Sequence, residues 1–351
     1  MKCAPDALAM VAITSGCQGH MAWRERIALV AARKESTFVD VGANKGYNTV
    51  AFMELWSAHN VTGRAWHGSI RQYASEQLEK RLLGSDRLAC GDCNRYCYFP
   101  PLPSIYRQQV HATAHMLELQ RSNRKLLRSL IRANGLEGVV HVHDVGASNV
   151  TAEVLTKTRG TGSEDGSIQM GPIPHGRAQE RTHVVRLDDF FQQHALRDIY
   201  HVKIDTEGHD DLVLQGLHHT LKQQRVSVLE FEYSGKGFWA EPGQSLEQTL
   251  TWLKSLGYFC FWLAPHDLVP ASPPCWLGDF DERRSWSNLA CSWERPILRE
   301  MHRISAEGVQ RRRRICGHGG PATMRLSRED RLRRDDVRGV WCGHVRTMAV
   351  G

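Results

Sequence analysis

Residues 38–49 read FVDVGANKGYNT, and this stretch decides the fold. The β-branched and apolar run at 37–41 predicts a strand that stops at Gly42. Residues 48–56 then carry apolar side chains at helical spacing, so the segment is a strand, a tight turn and a helix. In an open parallel sheet such a turn lies beyond the carboxyl end of its strand, where ligands bind. Gly42, Asn44 and Gly46 shape the turn, and the two positions without a Cβ let the backbone approach a ligand closely. The helix that follows offers N–H groups to a carboxylate or phosphate. A dinucleotide fingerprint requires G-x-G-x-x-G, but here the first two glycines stand too far apart and the third is missing. There is no G-x-x-x-x-G-K-S/T either. Asp40, just ahead of the glycines, opposes a pyrophosphate and suits the ammonium group of an amino-acid cofactor. An ordinary strand-to-helix turn would carry the same glycines.

Working outward, residues 59–104 break the pattern with Gly, Pro and three cysteines, and read as an insertion. A strand is expected over 109–119 and a helix over 122–134, with Leu126, Leu127, Leu130 and Ile131 on one face and an Asn134-Gly135 stop. Residues 139–145 form the next strand, and 158–180, rich in Gly, Ser and Thr, a surface loop. Strands at 183–187, 200–204, 226–233 and 258–263 alternate with helices at 189–194, 209–224 and 245–256. Strands separated by helices at this pitch imply an α/β fold, a mostly parallel sheet with helices on both faces.

Glu118 closes the second strand, where a carboxylate can accept hydrogen bonds from both hydroxyls of a ribose; a solvent-facing Glu at a helix start is the plain alternative. Asp144, at the end of the third strand, is placed to meet an adenine amino group. Lys203 to His209 reads KIDTEGH, which crowds Asp205, Glu207 and His209 at the carboxyl end of a later strand. Such a set can orient an acceptor hydroxyl, remove its proton or hold a divalent cation. Thr206 or Glu207 would alternatively cap the next helix. Three ionisable groups within five residues exceed what a cap requires.

FVDVGANKGYNT, followed by KIDTEGHDDLVLQG and the strand VLEFEY, resembles the FkbM-type methyltransferase family over roughly residues 37–292. The resemblance implies a Rossmann-like class I methyltransferase fold, S-adenosyl-L-methionine as methyl donor, and O-methylation of a hydroxyl on a sugar or other small metabolite. By matching position it puts Asp40, Gly42, Asn44 and Gly46 in the cofactor loop and Glu118 at the ribose. Asp205, Glu207, Gly208 and His209 fall in the later motif. His209, or Glu207 with Asp205, is then the expected proton acceptor, since imidazole titrates nearest neutral pH.

Charge locates the remaining segments. Of the 45 basic and 38 acidic residues, the stretch from Pro296 onward holds 13 Arg and 6 acids, leaving 32 of each sign in the rest. The excess of +7 therefore lies in the C-terminal segment, and the body shows no phosphate-binding charge. The domain expectation is an N-terminal extension at 1–36, a catalytic domain at 37–293, and a basic tail at 294–351 without a packed core. Nucleic acid is not expected as a partner, because the arginines lack interleaved aromatics; a scaffold using that tail for acidic partners or RNA, and a nicotinamide-dependent oxidoreductase, are the rivals. Cys90, Cys93 and Cys97 supply three thiolates to zinc, with His111 or His115 as a fourth ligand, or form a disulfide with a spare thiol, or stay free in a loop. No apolar run approaches the roughly 20 residues of a membrane span. The stretch at 7–13 is at or below the minimum for a secretory signal, so a cytoplasmic location is slightly favoured.

Overall fold

The computed structural model describes residues 22–76, 102–157, 168–169, 179–263, 268–281 and 287–316. In chain order the first half holds α1 (Ala22–Ala31), β1 (Glu35–Val41), α2 (Tyr47–Trp56), α3 (Gly63–Glu76), β2 (His111–Leu117), α4 (Arg121–Ala133), β3 (Val140–His143), β4 (Val145–Ala147), β5 (Ala152–Lys157), β6 (Ile168–Gln169) and β7 (Gln179–Val185). The second half holds α5 (Leu187–Gln193), β8 (Ile199–Ile204), α6 (Asp210–Gln215), α7 (His218–Lys222), β9 (Val226–Tyr233), α8 (Leu246–Ser255), β10 (Phe259–Leu263), β11 (Leu268–Pro270), β12 (Ser287–Ser292) and α9 (Arg295–Cys316).

The central sheet runs β11-β10-β12-β9-β8-β1-β2-β3. β3, β2, β1, β8 and β9 pair in parallel, while β12 inserts antiparallel between β9 and β10. The chain builds β1, β2 and β3 outward and then returns to place β8 on the other side of β1. Strand order thus reverses at β1, which marks the ligand crevice. One face is packed by Phe190, Phe191, Val213, Leu214, Leu221, Leu250 and Leu253 from α5 to α8. The other is packed by Ile27 of α1, Met53 of α2, Trp66 of α3, Leu127 of α4 and Met301 of α9. Burial on both faces explains why β9, VSVLEFEY, is interior at every position.

Four expectations are corrected. The strand expected over 139–145 breaks at Asp144: β3 joins the central sheet, whereas β4 turns into a second sheet ordered β4-β7-β5-β6. The strand read at 183–187 is the end of β7 in that same sheet. The helix read over 209–224 is two short helices, α6 and α7. Segments assigned to extensions also belong to the core: α1 buries Trp23 and Ile27, α3 buries Trp66 and Ile70 from the supposed insertion, and α9 buries Ile297, Met301 and Ile304 from the supposed tail. Their apolar faces are narrow against many charges, so composition concealed a helix that tertiary packing stabilises. The rest of that tail, most of the loop expected at 158–180, and Cys90, Cys93 and Cys97 lie outside the described residues. Cys260 and Cys291 face each other across β10 and β12 and form a disulfide, and Cys275 is disulfide-bonded too. Among the described residues no helix is long and apolar enough to cross a membrane.

At the β2–β3 edge four imidazoles meet: His115 shares a 3.0 Å hydrogen bond with His143, with His141 beside His115 and His194 beside His143. Burial and the neighbouring imidazoles push His115 down to about 3 and His143 to about 4. These rings fold neutral, so their contribution is complete above the unfolded histidine pKa near 6.5 and is lost as pH falls toward 4. The loss of thermal midpoint between pH 7 and pH 5 should therefore be smaller in His115→Gln than in wild type. Parallel losses in the two proteins would remove the cluster from the acid response.

Candidate functional site

The turn after β1 is built around its glycines. Gly42 lies at φ +79, and a Cβ there would fall far inside van der Waals contact of the Asp205 carbonyl oxygen. That carbonyl is held in place because the Asp205 N–H donates to Val41 O at 3.0 Å. Gly46, at φ +76, precedes α2 and packs against Met116 and Trp66. The N–H groups of Gly42 and Ala43 donate to Leu117 O, that of Asn44 to Glu118 Oε2 at 2.8 Å, and that of Gly46 to Ala43 O. These donors are spent inside the protein, which opposes a phosphate grip at this loop.

Asp40 lies beneath the turn rather than in the crevice, 1% exposed, with Oδ2 accepting from Thr49 Oγ1 at 2.7 Å. Burial raises it to about 6, against the pull of Lys203. Glu118 is buried where β2 meets the turn. Its Oε2 accepts from Asn44 N, its Oε1 from Gln120 N, and the Asn123 side chain donates as well. A carboxylate offers about four acceptor positions, so among the described residues one remains, where a ribose diol would use two. Asp144 stands half-exposed at the β3–β4 break, in ion pairs with Arg128 and with Arg124 Nε at 3.4 Å.

The later motif reaches the same crevice from β8. Lys203, 2% exposed, donates from Nζ to Asp205 Oδ2 at 2.7 Å. Glu207, at φ +55, meets Lys236 Nζ at 3.2 Å. His209, the expected base, has a ring that donates to the Thr206 backbone and a buried Nδ1 with no hydrogen-bond partner among the described residues. Burial lowers its pKa, so the ring is neutral near pH 7. Asp210, fully buried at the start of α6, accepts from Thr206 Oγ1 at 3.1 Å and from Glu232 N at 3.2 Å.

A row of charge, of which the sequence reading selected only Asp40, lies under this site. Register places Asp40, Lys203 and Glu230 side by side on β1, β8 and β9. Arg24 of α1 completes the row, with Nη2 at 2.5 Å from Glu230 Oε2, while His201 Nε2 is at 3.2 Å from the same oxygen. The balance of sign lets four charges be buried together. Two residues farther out on β9 is Glu232, beyond the last β8–β9 pair at Ile204 and Phe231. The available signal was two acids in the otherwise apolar strand VLEFEY. Among the described residues no group of three or more His, Cys, Asp or Glu is disposed to hold a metal.

The family described as Methyltransferase FkbM domain matches residues 40–260. No curated protein matches the chain. A solved methyltransferase FkbM from Methylobacillus flagellatus KT is 14% identical, with 74% of this chain and 44% of that chain covered and a TM-score of 0.35. The chain therefore spans less than half the length of that structure. The METTL16 methyltransferase domain is 10% identical, covering 78% and 66% at a TM-score of 0.35. TrmK of M. capricolum, solved with S-adenosyl-homocysteine, is 8% identical, covering 94% and 99% at a TM-score of 0.33.

Proposed function

The chain belongs to the FkbM methyltransferase domain family, and from that premise we propose that it transfers a methyl group from S-adenosyl-L-methionine to a hydroxyl of a small metabolite or sugar. The observation that carries this reading is the convergence of the Gly42–Gly46 turn, Glu118 and the Asp205–Glu207 segment at the reversal of strand order. The donor set suits the cofactor: Asp40 beneath the turn and Glu118 beside it place negative charge near its ammonium and ribose, and the loop N–H groups that would grip a phosphate are already used. When bound, the cofactor supplies an activated methyl on a sulfonium.

The residues of the chain do the rest. Asp40 supports the turn from below and adds negative potential at its ammonium end. Glu118 keeps one acceptor position for a ribose hydroxyl, and Asp144 on the rim faces the adenine end. Asp205, held by Lys203, and Glu207 border the acceptor side. Holding donor and acceptor in line within a water-poor crevice is the main catalytic effect expected of such a site. The acceptor is a small molecule in this reading, and the buried Cys260–Cys291 bridge favours an oxidising compartment over the cytoplasmic one suggested by the N-terminal sequence.

Isothermal titration tests the reading. S-adenosyl-homocysteine should bind the wild-type chain, and Asp40→Asn should weaken that affinity about tenfold, equivalent to about 1.4 kcal/mol. Binding of NADH in place of both S-adenosyl ligands would overturn it.

A further inference from the structure

Among the carboxyl groups at the acceptor side, one stands apart by what it lacks. Asp205 is paired with Lys203, Glu207 with Lys236, and Asp210 accepts two hydrogen bonds. Glu232 is 7% exposed, and its side chain has no hydrogen-bond or ion-pair partner among the described residues. It sits at the carboxyl end of β9, on the strand next to Asp205, whose carbonyl abuts Gly42 of the cofactor turn. The charged groups around it are Asp205 and Lys203 of the β8 end, Glu207 of the following loop and Asp210 of α6. Its cross-strand neighbour on β12, Asn288, is neutral.

Resting on the function proposed above, we infer that Glu232 is the proton acceptor of the transfer: it gives up its proton when the sulfonium cation binds beside it and recovers one from the acceptor hydroxyl. A buried carboxyl among three other acids keeps its proton, because desolvation and like charge both penalise the anion. Burial, then Asp205, Asp210 and Glu207, push Glu232 well above the usual carboxylate range, in accord with that argument. A neighbouring cation reverses the balance and makes the carboxylate the stable form. In the transfer the sulfur–methyl bond breaks and the sulfur keeps its electron pair. The acceptor oxygen forms the new bond to the methyl carbon, and its proton passes to the Glu232 carboxylate. The site returns to a neutral acid beside a neutral thioether, ready to release product.

The cycle predicts a difference between two ligands that share every contact except the charge. Titrations at pH 7.5 in buffers of different ionisation enthalpy read the protons released on binding. Wild-type protein should release about one proton per S-adenosyl-L-methionine bound and none per S-adenosyl-homocysteine. Glu232→Gln should release none with either, while binding S-adenosyl-homocysteine as wild type does. In wild type alone, affinity for the sulfonium ligand should rise about tenfold per pH unit while that for the thioether stays flat. Equal proton release by the two ligands in wild type, or release that persists undiminished in Glu232→Gln, would overturn the inference. A Glu232→Gln protein that no longer binds the thioether has lost its fold, and the wild-type pH series then decides. Failure of both ligands to bind wild type would instead remove the proposed function.

Discussion

Gly42→Ala is expected to destabilise the protein by roughly 2–4 kcal/mol and to abolish binding of S-adenosyl-homocysteine. Two costs combine. A side chain at φ +79 carries the penalty of left-handed backbone, and its Cβ would collide with the Asp205 carbonyl. Relief by movement is blocked, because the Asp205 amide is bonded to Val41 O and the turn is bonded to Leu117 O. Shifting either partner would separate the cofactor turn from the acceptor segment. Gly243 supplies the comparison: it has φ +87, but a Cβ there would meet nothing within 4 Å. Gly243→Ala should therefore show the backbone penalty alone, about 1 kcal/mol, and leave binding intact. Urea unfolding of both variants measures the two terms. If Gly42→Ala costs no more than Gly243→Ala, the close approach of the two segments is not what makes this glycine necessary.

Arg24→Met is expected to cost about 3–5 kcal/mol by leaving Glu230 buried without its principal partner. Glu230 is 0% exposed and is held down to about 2, where Arg24 is the largest stabilising influence against burial. Arg24 also contacts Asn48 of α2 at 3.3 Å, so one guanidinium joins α1, β9 and the helix that follows the cofactor turn. The double variant Arg24→Met with Glu230→Gln removes both charges. It should recover most of the loss, since exchanging a buried pair for neutral groups is often nearly neutral in stability. Chemical denaturation of the single and double variants forms the cycle. Simple additivity of the two single losses would show that the pair does not act as a unit.

Much of this architecture was legible in local pattern. The run at 37–41, the glycines after it and the helical spacing of 48–56 predict β1, the turn and α2, and they exclude a phosphate loop by spacing alone. The alternation from 189 onward predicts a mostly parallel sheet covered on both faces, and β9 reads as interior from its apolar run. Residues 22–31 and 295–310 were not legible as core, because their buried positions are few among many charges and tertiary packing against the sheet stabilises them. Glu118 was legible as the end of the second strand, but its hydrogen bonds to Asn44 and Gln120 depend on how the two loops meet. His209 looked like a base from its type, whereas its presentation depends on where the Thr206 carbonyl lies.

By itself the sequence determined element type, the two motifs and the kind of ligand they oppose, because periodicity and turn chemistry act over a few residues. Tertiary structure decided which charges meet. Asp40, Lys203, Glu230 and Arg24 come from distant segments and share one buried row only because strand order and register bring them together. The same register leaves the Glu232 side chain at the edge of that row without a hydrogen-bond or ion-pair partner among the described residues. Strand order is set by the whole core at once, whereas local alternation fixes only which face of a strand each side chain takes.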